Sequence, residues 1–215
     1  MKITNECNME LMARYEDNYF DLAIVDPPYG INVGKQRINS ERKTAKWHNP
    51  TEYKYKTFDD SKIPTKEYFD ELKRVSKNQI IWGANYFVEH LEPSKGWIVW
   101  NKKADIKEHL SMAELAWSSF DKKCNMYNHL WAGFKKKYAV KRIHPTEKPK
   151  ELYEWLLMNY AKEGDKILDT HLGSGSIAIA CHNLKYDLTA CELDKEYFDA
   201  AMKRIKRHQQ QIQMF

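Results

Sequence analysis

Short apolar runs alternate along this chain with longer stretches whose apolar positions recur every three to four residues, the pattern of strands interleaved with helices. Residues 1–5 make a brief candidate strand, followed by a helix-like segment, Met9–Tyr15, and a strand, Phe20–Asp26. Thr65–Ser76 reads as a helix with a Thr start, and Gln79–Trp82, Trp97–Trp100 and Leu115–Phe120 read as strands. A further helix begins near Pro149, where a missing N–H is tolerated in the first turn, and runs to about Ala161. Lys166–Asp169 reads as a strand, Gly173–Asn183 as a glycine turn and helix, and Asp187–Glu192 as a strand. A closing helix from about Lys195 to Arg207 precedes a Gln-rich tail expected to fray. This alternation predicts an α/β fold with a doubly wound, largely parallel sheet. At 215 residues it fits one domain, 1–215, and not two comfortable ones.

Two stretches break the rhythm. Residues 31–57 lose apolar periodicity and carry Lys35, Arg37, Arg42, Lys43, Lys46, Lys54 and Lys56 against Glu41 and Glu52, as a basic loop would. Residues 121–147 are again basic, with Tyr127, Trp131, Phe134 and Tyr138 interleaved. A net charge of +5 favours a polyanionic partner without establishing one. Cys7, Cys124, Cys181 and Cys191 form no CxxC pair; Cys181 and Cys191 read as small core residues, and no metal site is expected. No apolar stretch approaches the ~20 residues of a membrane span and no signal-peptide pattern opens the chain. A soluble, cytoplasmic protein that engages no membrane is therefore expected.

Candidate chemistry sits at the ends of two strands. Asp26-Pro27-Pro28-Tyr29-Gly30 follows the run Leu22-Ala23-Ile24-Val25, and two prolines without N–H groups end that strand abruptly. One carboxylate, a free carbonyl and a phenol are left in a stiff loop at a strand's carboxyl end, the edge where open α/β sheets bind ligands. The second motif runs Asp169-Thr170-His171-Leu172-Gly173-Ser174-Gly175-Ser176, a strand end, a tight glycine turn and a helix start. Glycines there permit close backbone approach, and the helix N-terminus offers free N–H groups. Glu192, closing the next strand 23 residues after Asp169, suits a ribose diol.

Together these residues resemble amino-group DNA methyltransferases. Asp26-Pro27-Pro28-Tyr29 is similar to their catalytic motif and Asp169–Ser176 to their S-adenosylmethionine (SAM) turn. His144-Pro145-Thr146-Glu147-Lys148-Pro149 resembles the HPT-x-KP signature that precedes that turn. Ile81-Trp82-Gly83 and Ile98-Val99-Trp100-Asn101-Lys102 resemble intervening strands, so the likeness spans nearly the whole chain. Catalytic motif first and cofactor motif second is the order of the permuted β-group. The resemblance implies a Rossmann-like SAM-dependent methyltransferase fold, circularly permuted, with a mixed, mostly parallel sheet and helices on both faces. Residues 1–5 would then supply the strand beyond that of Glu192.

For the site, the resemblance implies catalytic roles for Asp26, Pro27, Pro28 and Tyr29: Asp26 and the Pro27 carbonyl hold the target amine, Pro28 stiffens the loop, and Tyr29 stacks on the base. Asn5, Glu6 and Cys7 fall where the family's adenine-contacting turn lies, although Asn5 and Glu6 depart from its usual Gly-Asp. Asp26, Asp169, His171, Gly173, Ser174, Gly175, Ser176, Glu192 and Leu193 complete the implied cofactor set, with Thr170-His171 in place of the usual Pro-Phe. Thr146 and Lys148 either cap the following helix or reach the methionine end of SAM; His144, Trp82 and Trp100 read as structural. Lys35, Arg37, Arg42, Lys43 and Lys46 would contact double-stranded DNA, and about 103–143 would hold a short target-recognition region. The implied activity is adenine-N6 methylation at a specific DNA site in a bacterial or phage setting of restriction and modification. Cytosine-N4 methylation is the alternative. An inactive DNA-binding subunit would be expected to have lost the tetrapeptide or the glycine turn, and both are intact. A homodimer and a partner endonuclease are left open.

Overall fold

In the computed structural model of the chain, residues 1–32, 60–103, 111–132, 135–136, 143–144 and 146–211 are described. Strands β1 (Lys2–Thr4), β2 (Leu22–Val25), β3 (Gln79–Trp82), β4 (Ile98–Asn101), β5 (Ala113–Ser118), β6 (Asn125–Asn128), β9 (Lys166–Asp169) and β10 (Asp187–Cys191) build one sheet. Its order is β1-β10-β9-β2-β3-β5-β4-β6. Every pairing is parallel except those of β5, which runs antiparallel to β3 and β4. Trp131–Ala132 (β7) and Lys135–Lys136 (β8) form a separate two-stranded ribbon. Among the described residues the α-helices are α1 (Asn8–Met12), α2 (Lys66–Val75), α3 (Lys150–Tyr160), α4 (Ser176–Leu184) and α5 (Lys195–Gln209).

The all-apolar run of β2 is explained by its central position, because a strand covered on both faces has no polar side to present. Alternation along the pleat splits it: Leu22 and Ile24 enter one core layer with α3, α4 and α5, while Ala23 and Val25 enter the other with α1 and α2. Each fully buried large side chain, such as Phe69 and Leu72 of α2 or Leu156 of α3, contributes about 1.5–3 kcal/mol. Trp82 and Trp100 are core residues, as are Cys181 and Cys191.

β1 lies beside β10, with Lys2, Ile3 and Thr4 opposite Thr189, Ala190 and Cys191, so the first residues supply the strand beyond Glu192. From β2 the chain winds outward through α2 to β3; from β9 it winds the other way through α4 to β10. The direction of winding therefore reverses between the neighbours β2 and β9, and their carboxyl ends flank the crevice where such sheets bind ligands.

Several boundaries differ from the sequence reading. The first helix is Asn8–Met12 and not Met9–Tyr15, and Pro149 stands one residue outside α3, in extended conformation. β6 escaped prediction because it is an edge strand with mostly exposed side chains and no clean alternation. Residues 113–118 and 125–128, inside the span assigned to target recognition, are strands of the main sheet. Among the described residues, no helix is long and apolar enough to cross a membrane, and no cluster of His, Cys, Asp and Glu is arranged to hold a metal.

Candidate active site

The loop after β2 is held by an acidic residue the sequence reading missed. The buried Asp60 carboxylate accepts from the backbone N–H groups of Tyr29 (2.8 Å) and Gly30 (3.0 Å), and Gly30 takes φ +74° to allow it. Tyr29 then lies against Gly83, just beyond β3. A Cβ on Gly83 would sit 2.1 Å from the Tyr29 ring, and φ there is +68°, so only glycine fits. Tyr86 stacks on Tyr29 with centroids 5.3 Å apart and planes at 17°. One ring face offered for base stacking is therefore already covered. The Tyr29 hydroxyl donates to Asp26 Oδ1 at 2.6 Å; burial and the charge of Asp26 hold its pKa well above the usual phenol value, so it remains a donor.

Asp26 Oδ2 receives the Lys148 ammonium at 2.5 Å, and the same ammonium donates to the Tyr29 hydroxyl at 3.1 Å. Only 3% of the Lys148 side chain is exposed. Burial alone would lower its pKa, but Asp26 and Glu114 more than offset this and keep it cationic. Glu114 Oε2 lies 3.1 Å from Lys148, and Glu114 Oε1 lies 2.6 Å from Lys102. Burial would raise the Glu114 pKa, yet the two ammoniums bring it down to about 2. Glu114 is the charged residue of β5, a signal the sequence does contain. The result is a line of alternating charge, Asp26–Lys148–Glu114–Lys102, whose ends come from separate strand termini.

The glycine turn occupies the neighbouring strand end. Gly173 and Gly175 have φ of +52° and +74°, and a Cβ on Gly173 would meet only the His171 carbonyl oxygen, at 3.8 Å, so the space above the turn is open. Glu192 accepts from the N–H of Gly173 (2.9 Å) and of Asp194 (3.0 Å), which leaves each oxygen a further lone pair; burial raises its pKa. Asp169 accepts from His171 N–H at 2.9 Å, but burial and the charges of Asp26 and Glu192 push its pKa up to about 8. Ser176 donates to the Lys148 carbonyl (2.8 Å), and Arg204 donates to the Ser174 carbonyl and Ser176 Oγ (2.9 and 3.0 Å). Arg204 also meets buried Glu147 at 3.3 Å, tying the turn to the His144–Pro149 segment.

Thr170 and His171 close a polar chain of their own. The Asn8 amide donates to His171 Nε2 (3.1 Å), so Nδ1 carries the proton toward Thr170 Oγ1 (2.9 Å), whose partner is the Tyr68 hydroxyl (2.7 Å). Burial lowers the His171 pKa to about 4 and keeps the ring neutral.

The remaining implied residues are dispersed. Asn5 bridges the carbonyls of Glu192 and Leu193 (2.7 and 3.0 Å) and so is tied to the end of β10; the Leu193 side chain is exposed. The Glu6 carboxylate is taken up by Arg14 at 2.5 and 2.6 Å and by Thr4, which hold its pKa at about 2. Cys7 precedes α1 with its thiol toward Asn8. Thr146 is exposed and bonded to His144, whose ring packs on Tyr197 at 4.4 Å. Lys35, Arg37, Arg42, Lys43 and Lys46 lie outside the described residues. The structure thus brings together Asp26, Tyr29, Lys148, Asp169 and Glu192, and adds Asp60, Gly83, Tyr86, Lys102 and Glu114.

The family model described as DNA methylase matches residues 50–203. The chain is 26% identical, over a 238-residue alignment, to type II methyltransferase M.HpaI of Haemophilus parainfluenzae, covering 92% of this chain and 71% of that one. It is 31% identical over 137 residues to type II methyltransferase M2.DpnII of Streptococcus pneumoniae, covering 60% of this chain and 50% of that one. The chain thus matches about half the length of the second relative. Among solved structures, the M1.HpyAVI–SAM complex is similar with a TM-score of 0.58 at 21% identity, covering 94% of this chain and 98% of that chain. PvuII DNA methyltransferase, described as cytosine-N4-specific, reaches 0.58 at 10% identity, covering 96% and 90%. At these identities the structural likeness is one of fold.

Proposed function

Since the chain belongs to the DNA methylase family, we propose that it transfers a methyl group from SAM to the exocyclic N6 of adenine in duplex DNA. The observation that carries this reading is the juxtaposition, on the adjacent strands β2 and β9, of the Asp26 loop with an open glycine turn. SAM, when bound, supplies an electrophilic methyl group. Glu192 would accept from its ribose hydroxyls, the Gly173–Gly175 turn would let its backbone approach closely, and the first N–H groups of α4 suit its carboxylate.

The amine of a nucleobase is a weak nucleophile because its lone pair is delocalised into the ring. Asp26 and the Pro27 carbonyl, accepting its two N–H groups, would localise that lone pair and stabilise the positive charge developing on nitrogen. Asp60 and Pro28 keep the loop rigid, so its backbone needs little reorganisation. The target base must leave the duplex, at a cost of a few kcal/mol, and the aromatic pair Tyr29–Tyr86 offers a surface for it. Adenine is favoured over cytosine because Asp heads the tetrapeptide.

The test is methyl incorporation into duplex DNA by the purified chain and by Asp26→Ala, followed by nucleoside analysis of the product. Loss of about 10²–10³-fold or more in Asp26→Ala, with N6-methyladenine as product, is expected. Equal incorporation by both proteins would refute the role of Asp26. N4-methylcytosine as the sole product would replace adenine with cytosine.

A further inference from the structure

We propose that Glu114 is a positioning residue for methyl transfer: it provides a second seat for the Lys148 ammonium, which withdraws from Asp26 when the target amine arrives. The inference rests on the reading of Asp26 as the amine's acceptor and concerns how that acceptor is released.

In the resting structure both oxygens of Asp26 are engaged, Oδ1 by the Tyr29 hydroxyl and Oδ2 by Lys148. An ammonium 2.5 Å away neutralises the carboxylate and weakens it as an acceptor for an incoming amine. It also cancels the negative charge at the place where positive charge would develop on the attacking nitrogen. Little solvent is present to screen this, since only 3% of Lys148 is exposed. Asp26 therefore has to be freed of part of its pairing. Moving a buried ammonium to a site without a counter-charge would be costly.

Glu114 removes that obstacle. Its Oε2 lies 3.1 Å from Lys148 Nζ but is a buried oxygen with no aligned hydrogen-bond donor among the described residues. Its other oxygen is held by Lys102, which keeps the carboxylate ionised and stationary. A small rotation at the end of the Lys148 side chain would complete the Lys148–Glu114 hydrogen bond and loosen the one to Asp26. The Lys148 backbone need not move, being held through its carbonyl by Ser176. No proton is transferred and no bond is broken; one buried cation changes partner. Glu114 touches neither amine nor methyl donor in this scheme and acts through Lys148.

The experiment is a double-mutant cycle with Glu114→Gln, Lys148→Gln and the double variant, read by single-turnover methyl transfer to duplex DNA. The KM for SAM and thermal melting are followed in parallel. Glu114→Gln should slow transfer about tenfold or more, leave the KM for SAM within about twofold, and add nothing in the Lys148→Gln background. If Glu114→Gln does not fold, Glu114→Asp takes its place: its carboxylate, retracted by one methylene, should slow transfer about threefold or more, again only when Lys148 is present. A Glu114 variant as fast as wild type, losses that multiply in the double variant, or an effect confined to KM would each overturn the proposal. A wild-type chain that transfers no methyl group would instead remove the underlying reading, and this inference with it.

Discussion

Replacing Lys148 with Met keeps the length of the side chain but leaves Asp26 and Glu114 facing each other without their shared cation. Removing one partner of a buried ion pair costs about 3–5 kcal/mol; here Asp26 keeps the Tyr29 hydroxyl but loses its ammonium, while Glu114 keeps Lys102. The Glu114 pKa provides a second route to the size of the effect. Its fall from 4.5 to about 2 corresponds to about 3 kcal/mol net in favour of the charged form, which is what Lys148 and Lys102 supply beyond the cost of burial. For a chain of this size, a loss of 3–5 kcal/mol lowers the Tm by about 6–20 °C. The direction with pH is equally specific. A carboxylate whose folded pKa lies below its unfolded value contributes fully above the unfolded value, and the contribution fades as pH falls toward the folded one. In wild type, the Glu114 contribution is complete above about pH 5 and lost toward pH 2. In Lys148→Met the folded Glu114 protonates more readily, so acid relieves its penalty. Melting curves of both proteins between pH 7.5 and 4 should show the gap closing on acidification. A Tm loss below about 3 °C at neutral pH, or a gap constant down to pH 4, would refute the reasoning.

Gly83→Ala would place a methyl group 2.1 Å from the Tyr29 ring and force a non-glycine residue to φ +68°, at about 1–2 kcal/mol for the backbone alone. Methyl transfer should drop more than tenfold while SAM affinity, read calorimetrically, changes little; normal turnover would show that Tyr29 needs no such seat. Asp169 binds a proton in the folded state up to about pH 8 that the unfolded chain releases near 3.8, so wild type loses stability as pH rises between those values. Asp169→Asn should therefore melt higher than wild type at pH 8.5, with the difference narrowing toward pH 5; a difference independent of pH would contradict the assignment. If Lys35, Arg37 and Arg42 meet DNA phosphates, their joint replacement by Ala should reduce the slope of log affinity against log salt by about 2.7. Fluorescence anisotropy across a salt series would measure it, and an unchanged slope would remove these three residues from the interface.

Features that depend on near neighbours could be read from the sequence alone. The apolar run of β2, the prolines that end it, the glycines of the Gly173–Gly175 turn and the amphipathic spacing of α2 and α5 are constraints within one or two turns of chain. They were sufficient for the α/β alternation, for the strand Lys166–Asp169 to the residue, and for the placement of residues 1–5 beside β10 once the order of motifs was recognised. β6 was hidden because an exposed edge strand carries no burial pattern to read. The site's electrostatics were hidden for a different reason. Lys148 and Glu114 are separated by 34 residues and Tyr29 and Gly83 by 54, so neither pair has a local signature. Whether a lysine is a solvated surface charge or a buried cation between two carboxylates depends on what packs around it. Only the parallel sheet, by bringing the ends of β2, β3 and β9 to one edge and laying β5 alongside, decided that Asp26 is already paired in the resting protein.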